Sequence, residues 1–277
     1  MAIQITTLSE NTANIGYLAE WGLSILVTTD NLNILMDTGA SISTTHNANI
    51  LGTDLSRIDK IVLSHGHYDH TGGLRNVLRR TGEVEVIAHP DIWAPKYARR
   101  DKHEQERYVG IPFQRAELES LGARFNLTRE PVQLGDSIMT TGEITMSVSF
   151  EEIDPDIYVK KDGSLQPDPM ADDLSLVIDT EAGLIVILGC AHRGIINTLR
   201  HAQKLTGKET VYAAIGGTHL FRASENQIRQ TVAALKEMGI KKLGVSHCTG
   251  FTAAARLYQE MPDAFFLNNA GTRFTLP

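Results

Sequence analysis

Residues 64–70 read Ser-His-Gly-His-Tyr-Asp-His, so His65, His67, Asp69 and His70 put four metal-ligand types into six consecutive positions. Neutral imidazole and carboxylate are the donors that Zn²⁺, Mn²⁺ and Fe²⁺ accept. His65 and His67, two apart just beyond an apolar run, can both turn toward one point, and Asp69 and His70 follow closely enough to hold a second ion. The bland alternative is a solvated polar loop; against it, three of the chain's 10 histidines fall in this one loop. Two divalent ions about 3.5–4 Å apart activate water and polarise a carbonyl or phosphoryl oxygen, which makes ester, amide or phosphodiester hydrolysis the default chemistry.

Such a loop needs a strand to deliver it, and the apolar run 58–63 supplies one. Upstream, 3–8 reads as a strand, and 23–28 with 33–36 as a hairpin around Thr29-Asp30-Asn31 that ends in the polar turn Asp37-Thr38-Gly39. Downstream, Leu74, Val77 and Leu78 have helical spacing, which predicts a helix over 71–80 capped by Thr71. The run 84–88 is a strand stopped by His89-Pro90. Residues 91–125 are charged and dotted with aromatics, and read as an inserted helical lid. The second half predicts strands at 174–179, 184–188, 211–215 and 242–245, and helices at 195–205, 225–238 and 252–259. Hairpins precede alternating β/α units in both halves, the pattern of two sheets packed face to face with helices outside. One domain over 1–277 is expected.

Composition fits this. A chain of 277 residues can bury roughly three quarters of its unfolded surface, and 42% hydrophobic with 21% charged residues is the balance of a globular protein. The net charge of −7 argues against bulk binding to nucleic acid. Two cysteines cannot make a disulfide scaffold. No leader-like start and no apolar run of roughly 18 residues is present, so a cytoplasmic protein away from membranes is expected. The chain contains no GxSxG, no GxxxxGK[ST], no dinucleotide fingerprint and no CxxC.

The HxHxDH pattern after an apolar strand, with Leu35-Met36-Asp37-Thr38-Gly39 before it, resembles the metallo-β-lactamase superfamily. Further segments follow in the order of one branch, the 7,8-dihydropterin-6-yl-methyl-4-(β-D-ribofuranosyl)aminobenzene 5′-phosphate synthase-like proteins. They are 64–74 (SHGHYDHTGGL), 110–113 (GIPF), 140–144 (TTGEI), 189–192 (GCAH), 216–220 (GGTHL) and 246–250 (SHCTG). The resemblance implies an α+β fold, an αββα sandwich of metallo-β-lactamase type, here with the inserted lid. It implies two divalent ions, zinc foremost with manganese or iron as alternatives. His65 and His67 would bind the first ion, Asp69 and His70 the second, and His247 matches the last ligand histidine.

Relatives usually supply another histidine and then a bridging aspartate after a strand; here Gly189-Cys190 stands where many have Gly-Asp. His192 is expected to replace the missing histidine, on the ion of His65 and His67. Cys190 is expected to lie behind the ligands without touching metal, and Asp172 or Asp173 remains an alternative carboxylate. Asp37 would orient the loop through hydrogen bonds.

Asp69 doubles as ligand and as the carboxylate nearest the attacking hydroxide. His219 is a candidate for substrate contact or proton transfer, with a capping or core role as the alternative. Arg99, Arg100, His103 and Arg107 form a basic cluster on the lid, read as an exposed face rather than an anion clamp. The expected activity is metal-dependent hydrolysis of a small phosphorylated or ester substrate. Its alternatives are a synthase of the named branch, with Trp93, Tyr97 and Phe113 lining an aromatic cleft, and a sensor without turnover.

Overall fold

The computed structural model describes residues 3–99, 103 and 105–276. The chain divides into two compact units. The first comprises Met1–Arg129, Asp154–Asp172 and Asn269–Pro277; the second comprises Glu130–Ile153 and Asp173–Asn268.

The first unit is built on a seven-stranded sheet, in the order Arg273–Leu276, Ile3–Ser9, Ser24–Thr28, Asn33–Met36, Lys60–Val62, Val84–Ala88, Ala123–Leu127. Its first four strands pair antiparallel and the last four pair parallel, Asn33–Met36 belonging to both runs. Strands of Ile, Leu and Val suit a sheet buried on both faces. Leu35, Ile61, Leu63, Leu74, Val77 and Val86 share one core cluster, all fully buried. The helix expected over 71–80 is two pieces, Tyr68–Thr71 and Leu74–Thr81, and Gly73 rather than Thr71 precedes the second. Thr71 instead sends its hydroxyl back to the His67 carbonyl at 2.8 Å.

Among its described residues, the segment 91–125 is mostly not helical. It holds a short 3₁₀ turn, the strands Lys96–Ala98 and Arg107–Tyr108, the helix Arg115–Ser120 and the sheet strand Ala123–Leu127. Two long-range pairings override its polar composition. Lys96–Ala98 pairs with Ile157–Lys161 in a separate four-stranded sheet, and Ala123–Leu127 closes the edge of the main sheet beside Val84–Ala88. Ile92, Ile111, Leu118 and Ala123 belong to the core of this unit.

The second unit repeats the plan. Its seven strands run Phe265–Leu267, Lys242–Ser246, Val211–Gly217, Gly183–Leu188, Leu176–Thr180, Ile138–Thr140, Gln133–Gly135. The first four are parallel and the remainder antiparallel. The helices Ile195–Thr206, Glu225–Glu237 and Phe251–Glu260 lay Leu199, Leu235 and Leu257 into a core with Val186, Leu188 and Leu243. Among the described residues no helix is long and apolar enough to cross a membrane.

Candidate metal-ligating residues

Lys60–Val62 carries the chain to Ser64, and the HxHxDH loop turns at once into the helix Tyr68–Thr71. His65, His67, Asp69 and His70 are all buried. The ring of His65 lies 4.5 Å from that of His67 and 4.2 Å from that of His70, centroid to centroid. His65 Nε2 stands 2.9 Å from His67 Nδ1. Two nitrogens on one tetrahedral zinc, each about 2.0–2.1 Å from it, lie about 3.3 Å apart, so the pair fits a shared ion with a few tenths of an ångström of movement. Burial drives the pKa of His67 down to about 3; the Asp69 carboxylate opposes the shift, and Lys96 and His70 reinforce it. A neutral imidazole is the form that ligates a metal. Asp69 Oδ2 accepts a hydrogen bond from Trp21 Nε1 at 2.8 Å.

Asp37 anchors this loop from within. Its carboxylate accepts the Ser64 backbone N–H at 2.7 Å and the Ser64 hydroxyl at 2.7 Å, and meets His70 Nδ1 at 2.6 Å. Asp37 sits at φ 59, a left-handed conformation held by the bond of its own N–H to the Val62 carbonyl. A carboxylate on one imidazole nitrogen fixes the ring and directs the other nitrogen outward.

A second anchor carries no sequence signal. Lys96, 1% exposed, pairs with Asp168 at 2.7 Å and Asp172 at 2.9 Å. Although burial opposes it, these two carboxylates hold the Lys96 ammonium above its usual range. Asp172 spends its other oxygen on the Gly66 N–H at 2.8 Å, so it grips the backbone between His65 and His67. Gly66 has to lack a side chain, since a Cβ there would lie 2.3 Å from the Ile92 carbonyl oxygen and 3.2 Å from Lys96 Cε. Asp172, an alternative ligand by sequence, is thus tied to Lys96 and Gly66.

The second unit collects Cys190, His192, His219, His247 and Cys248, all buried except half-buried His219. The His192 and His219 rings lie 4.1 Å apart. Cys248 Sγ accepts the His219 backbone N–H at 3.2 Å and donates to the Cys190 carbonyl at 3.4 Å. Burial alone would raise the Cys248 thiol; its hydrogen bonds to Cys190 and His219 and the His219 and His247 imidazoles outweigh that and hold it well below the usual range. His247 opens the 3₁₀ turn His247–Thr249 at φ 52. Asp173 Oδ2 accepts the Arg193 N–H at 2.9 Å. Glu151, absent from the sequence reading, accepts the Ile196 and Asn197 N–H groups at 2.8 and 2.7 Å and caps the helix that follows His192.

Of the expected aromatic cleft, Trp93 and Phe113 pack against the first unit's core, Trp93 edge-on to Phe125 at 5.2 Å and Phe113 beneath Arg75. Tyr97 meets Tyr108 at 5.5 Å. Of the basic cluster, Arg99 lies over Tyr158, His103 and Arg107 are exposed, and Arg100 lies outside the described residues. His89 caps the turn Pro90–Trp93 by accepting the Asp91 N–H.

The profile described as the metallo-beta-lactamase superfamily matches residues 22–247. A 7,8-dihydropterin-6-methyl-4-(beta-D-ribofuranosyl)-aminobenzene-5′-phosphate synthase of Methanocaldococcus jannaschii is 35% identical, over 97% of this chain and 95% of its own. An uncharacterized protein of the same organism is 33% identical, over 92% and 94% respectively. Among solved structures, a metal-dependent hydrolase of the β-lactamase superfamily aligns with a TM-score of 0.84 at 29% identity, covering 98% of both chains. The fold is the α+β type of that superfamily, as the sequence led one to expect. From the profile match and the synthase-named relative, the chain belongs to the metallo-β-lactamase superfamily, in the branch of that relative.

Proposed function

We propose that this chain is a metal-dependent enzyme that directs water onto a small phosphorylated or ester substrate, using two divalent ions held by His65, His67, Asp69, His70, His192 and His247. The reading is carried by the buried His65–His67 pair with facing nitrogens 2.9 Å apart, His67 held neutral by its burial, beside Asp69 and His70 on the same loop. When bound, such ions lower the pKa of water toward neutrality and polarise a carbonyl or phosphoryl oxygen. Asp37 fixes Nδ1 of His70 and so presents Nε2 to the ligand side. Asp69, steadied by Trp21, is the carboxylate placed to take a proton, and His219 contacts the substrate or relays a proton.

A second reading, a condensation that joins a pterin precursor to a ribosyl-aminobenzene phosphate, is favoured by the synthase-named relative. It would use the same ligand set. Metal analysis of the purified protein, followed by a panel of phosphodiesters, thioesters and pterin precursors, separates the two by product: hydrolytic release or a new bond between two substrates. We expect His67→Ala to lose most of the bound metal, and His192→Ala to lose a share of it. Full metal content with unchanged activity in His67→Ala would remove the loop from the reaction; the same result in His192→Ala would remove only that residue.

A further inference from the structure

Three neighbouring parallel strands of the second unit, Gly183–Leu188, Val211–Gly217 and Lys242–Ser246, end within one residue of a common level: Leu188 stands beside Gly216, and Gly217 beside Ser246. Two residues past the last residue of each strand stands a side chain with a metal-binding atom: Cys190, His219 and Cys248. Adjacent strands lie about 4.8 Å apart, so the outer two are about twice that apart and their loops must converge over the middle strand to bring the three together. The two thiol sulfurs and an imidazole nitrogen all lie within 4.8 Å of one another.

We propose that Cys190, His219 and Cys248 form a cation site of their own, which takes a soft divalent ion such as Zn²⁺ or Cd²⁺. Two sulfurs at about 2.3 Å from a tetrahedral ion are about 3.8 Å apart, so closing around an ion asks for a shift of about 1 Å at most. Two thiolates and an imidazole select zinc or cadmium over magnesium or manganese, and three protein ligands leave a fourth position open.

Two features of the backbone belong to this cluster. Gly217, on the middle strand, lets the outer loops meet over it: a Cβ there would lie 2.7 Å from Cys248 Sγ and 3.2 Å from Cys190 Cα. Each loop also carries one non-glycine residue in the left-handed region, Ala191 at φ 52, His219 at φ 49 and His247 at φ 52. Such conformations persist where surrounding structure enforces them, and they gather at functional sites. An imidazole binds the ion through one nitrogen, so the other nitrogen of His219 remains for the role proposed above. None of the three ligands lies on the HxHxDH loop, so the site is tested with that loop's own ligand altered.

The test is a Cd²⁺ titration of the zinc-loaded protein, followed by the near-ultraviolet absorption of thiolate bound to metal. We expect a saturable band that survives in His67→Ala and is lost in Cys248→Ser, with circular dichroism showing both variants folded. If Cys248→Ser does not fold, His219→Gln takes its place, and a loss of at least tenfold in Cd²⁺ affinity is expected. Absence of the band in the parent protein overturns the proposal. So does a band abolished by His67→Ala, or one unchanged in Cys248→Ser or its substitute, because Cys190 would then serve other ligands.

Discussion

In the first unit the metal-ligand types lie on one loop clamped by buried charge; in the second they come from separate strand ends, aligned by the backbone. Asp37 and the Lys96–Asp168–Asp172 group hold the HxHxDH loop through side-chain bonds between 2.6 and 2.9 Å. Cys190, His219 and Cys248 owe their meeting to the shared register of three strands and to Gly217. A loop gripped by charges is sensitive to the loss of one partner. A cluster set by strand ends is sensitive to volume.

The largest effect expected from this contrast is that of Lys96→Met. It strands two buried carboxylates, and removing one member of a buried ion group typically costs about 3–5 kcal/mol. Urea unfolding should show that loss, and metal content should fall because Asp172 no longer holds Gly66 in place. A change below about 1 kcal/mol would mean that the Lys96 group does not anchor the loop.

Next comes a pH effect in the second unit. Burial pushes the Glu151 carboxyl up to about 7, against the pull of the Ile196 and Asn197 amides, from an ordinary value of 4.5. Between those values the folded chain binds more protons than the unfolded one. Stability is therefore greatest at the acid end and falls as pH rises through the window, by about 3 kcal/mol at most at ~1.4 kcal/mol per pKa unit. Glu151→Gln should flatten this slope in urea midpoints measured from about pH 4.5 to 7.5. An unchanged slope would place the titration elsewhere.

A smaller loss, about 1–3 kcal/mol, is expected for Gly217→Ala, because the added carbon forces Cys248 aside. It should weaken Cd²⁺ binding while leaving the metal of the HxHxDH loop in place. Loss of that metal instead would show that the two ligand groups are held by one set of contacts. Smallest of all, Arg124→Ala removes an ion pair with Glu83 whose side chains are 65% and 68% exposed. Exposed pairs contribute roughly 0–1 kcal/mol, so the thermal midpoint should move little.

The strands around the HxHxDH loop were legible because their information is local. Asn33–Met36 and Val84–Ala88 fall where the apolar runs lie, and the helix Ile195–Thr206 follows its own amphipathic spacing. The segment 91–125 misled because its charges suggest a solvated helix, while its partners lie far along the chain. Tyr97 pairs with Tyr158, and Val86 with Phe125. No window of a dozen residues contains either pairing.

For the ligand types the division is the same. The sequence alone determined that His65, His67, Asp69 and His70 crowd one loop behind a strand, and that Asp37 ends an earlier strand, because short spacings and apolar periodicity are enough to place them. Tertiary structure decided that Lys96 is buried against carboxylates 72 and 76 residues away, and that Cys190, His219 and Cys248 share one corner of a sheet. A lysine in a charged stretch looks solvated until its strand pairs with Ile157–Lys161 and Asp168 and Asp172 close on its ammonium. Cysteines 58 residues apart become neighbours only once parallel strands take up their register, since that pairing, and not the local chain, sets the distance between strand ends.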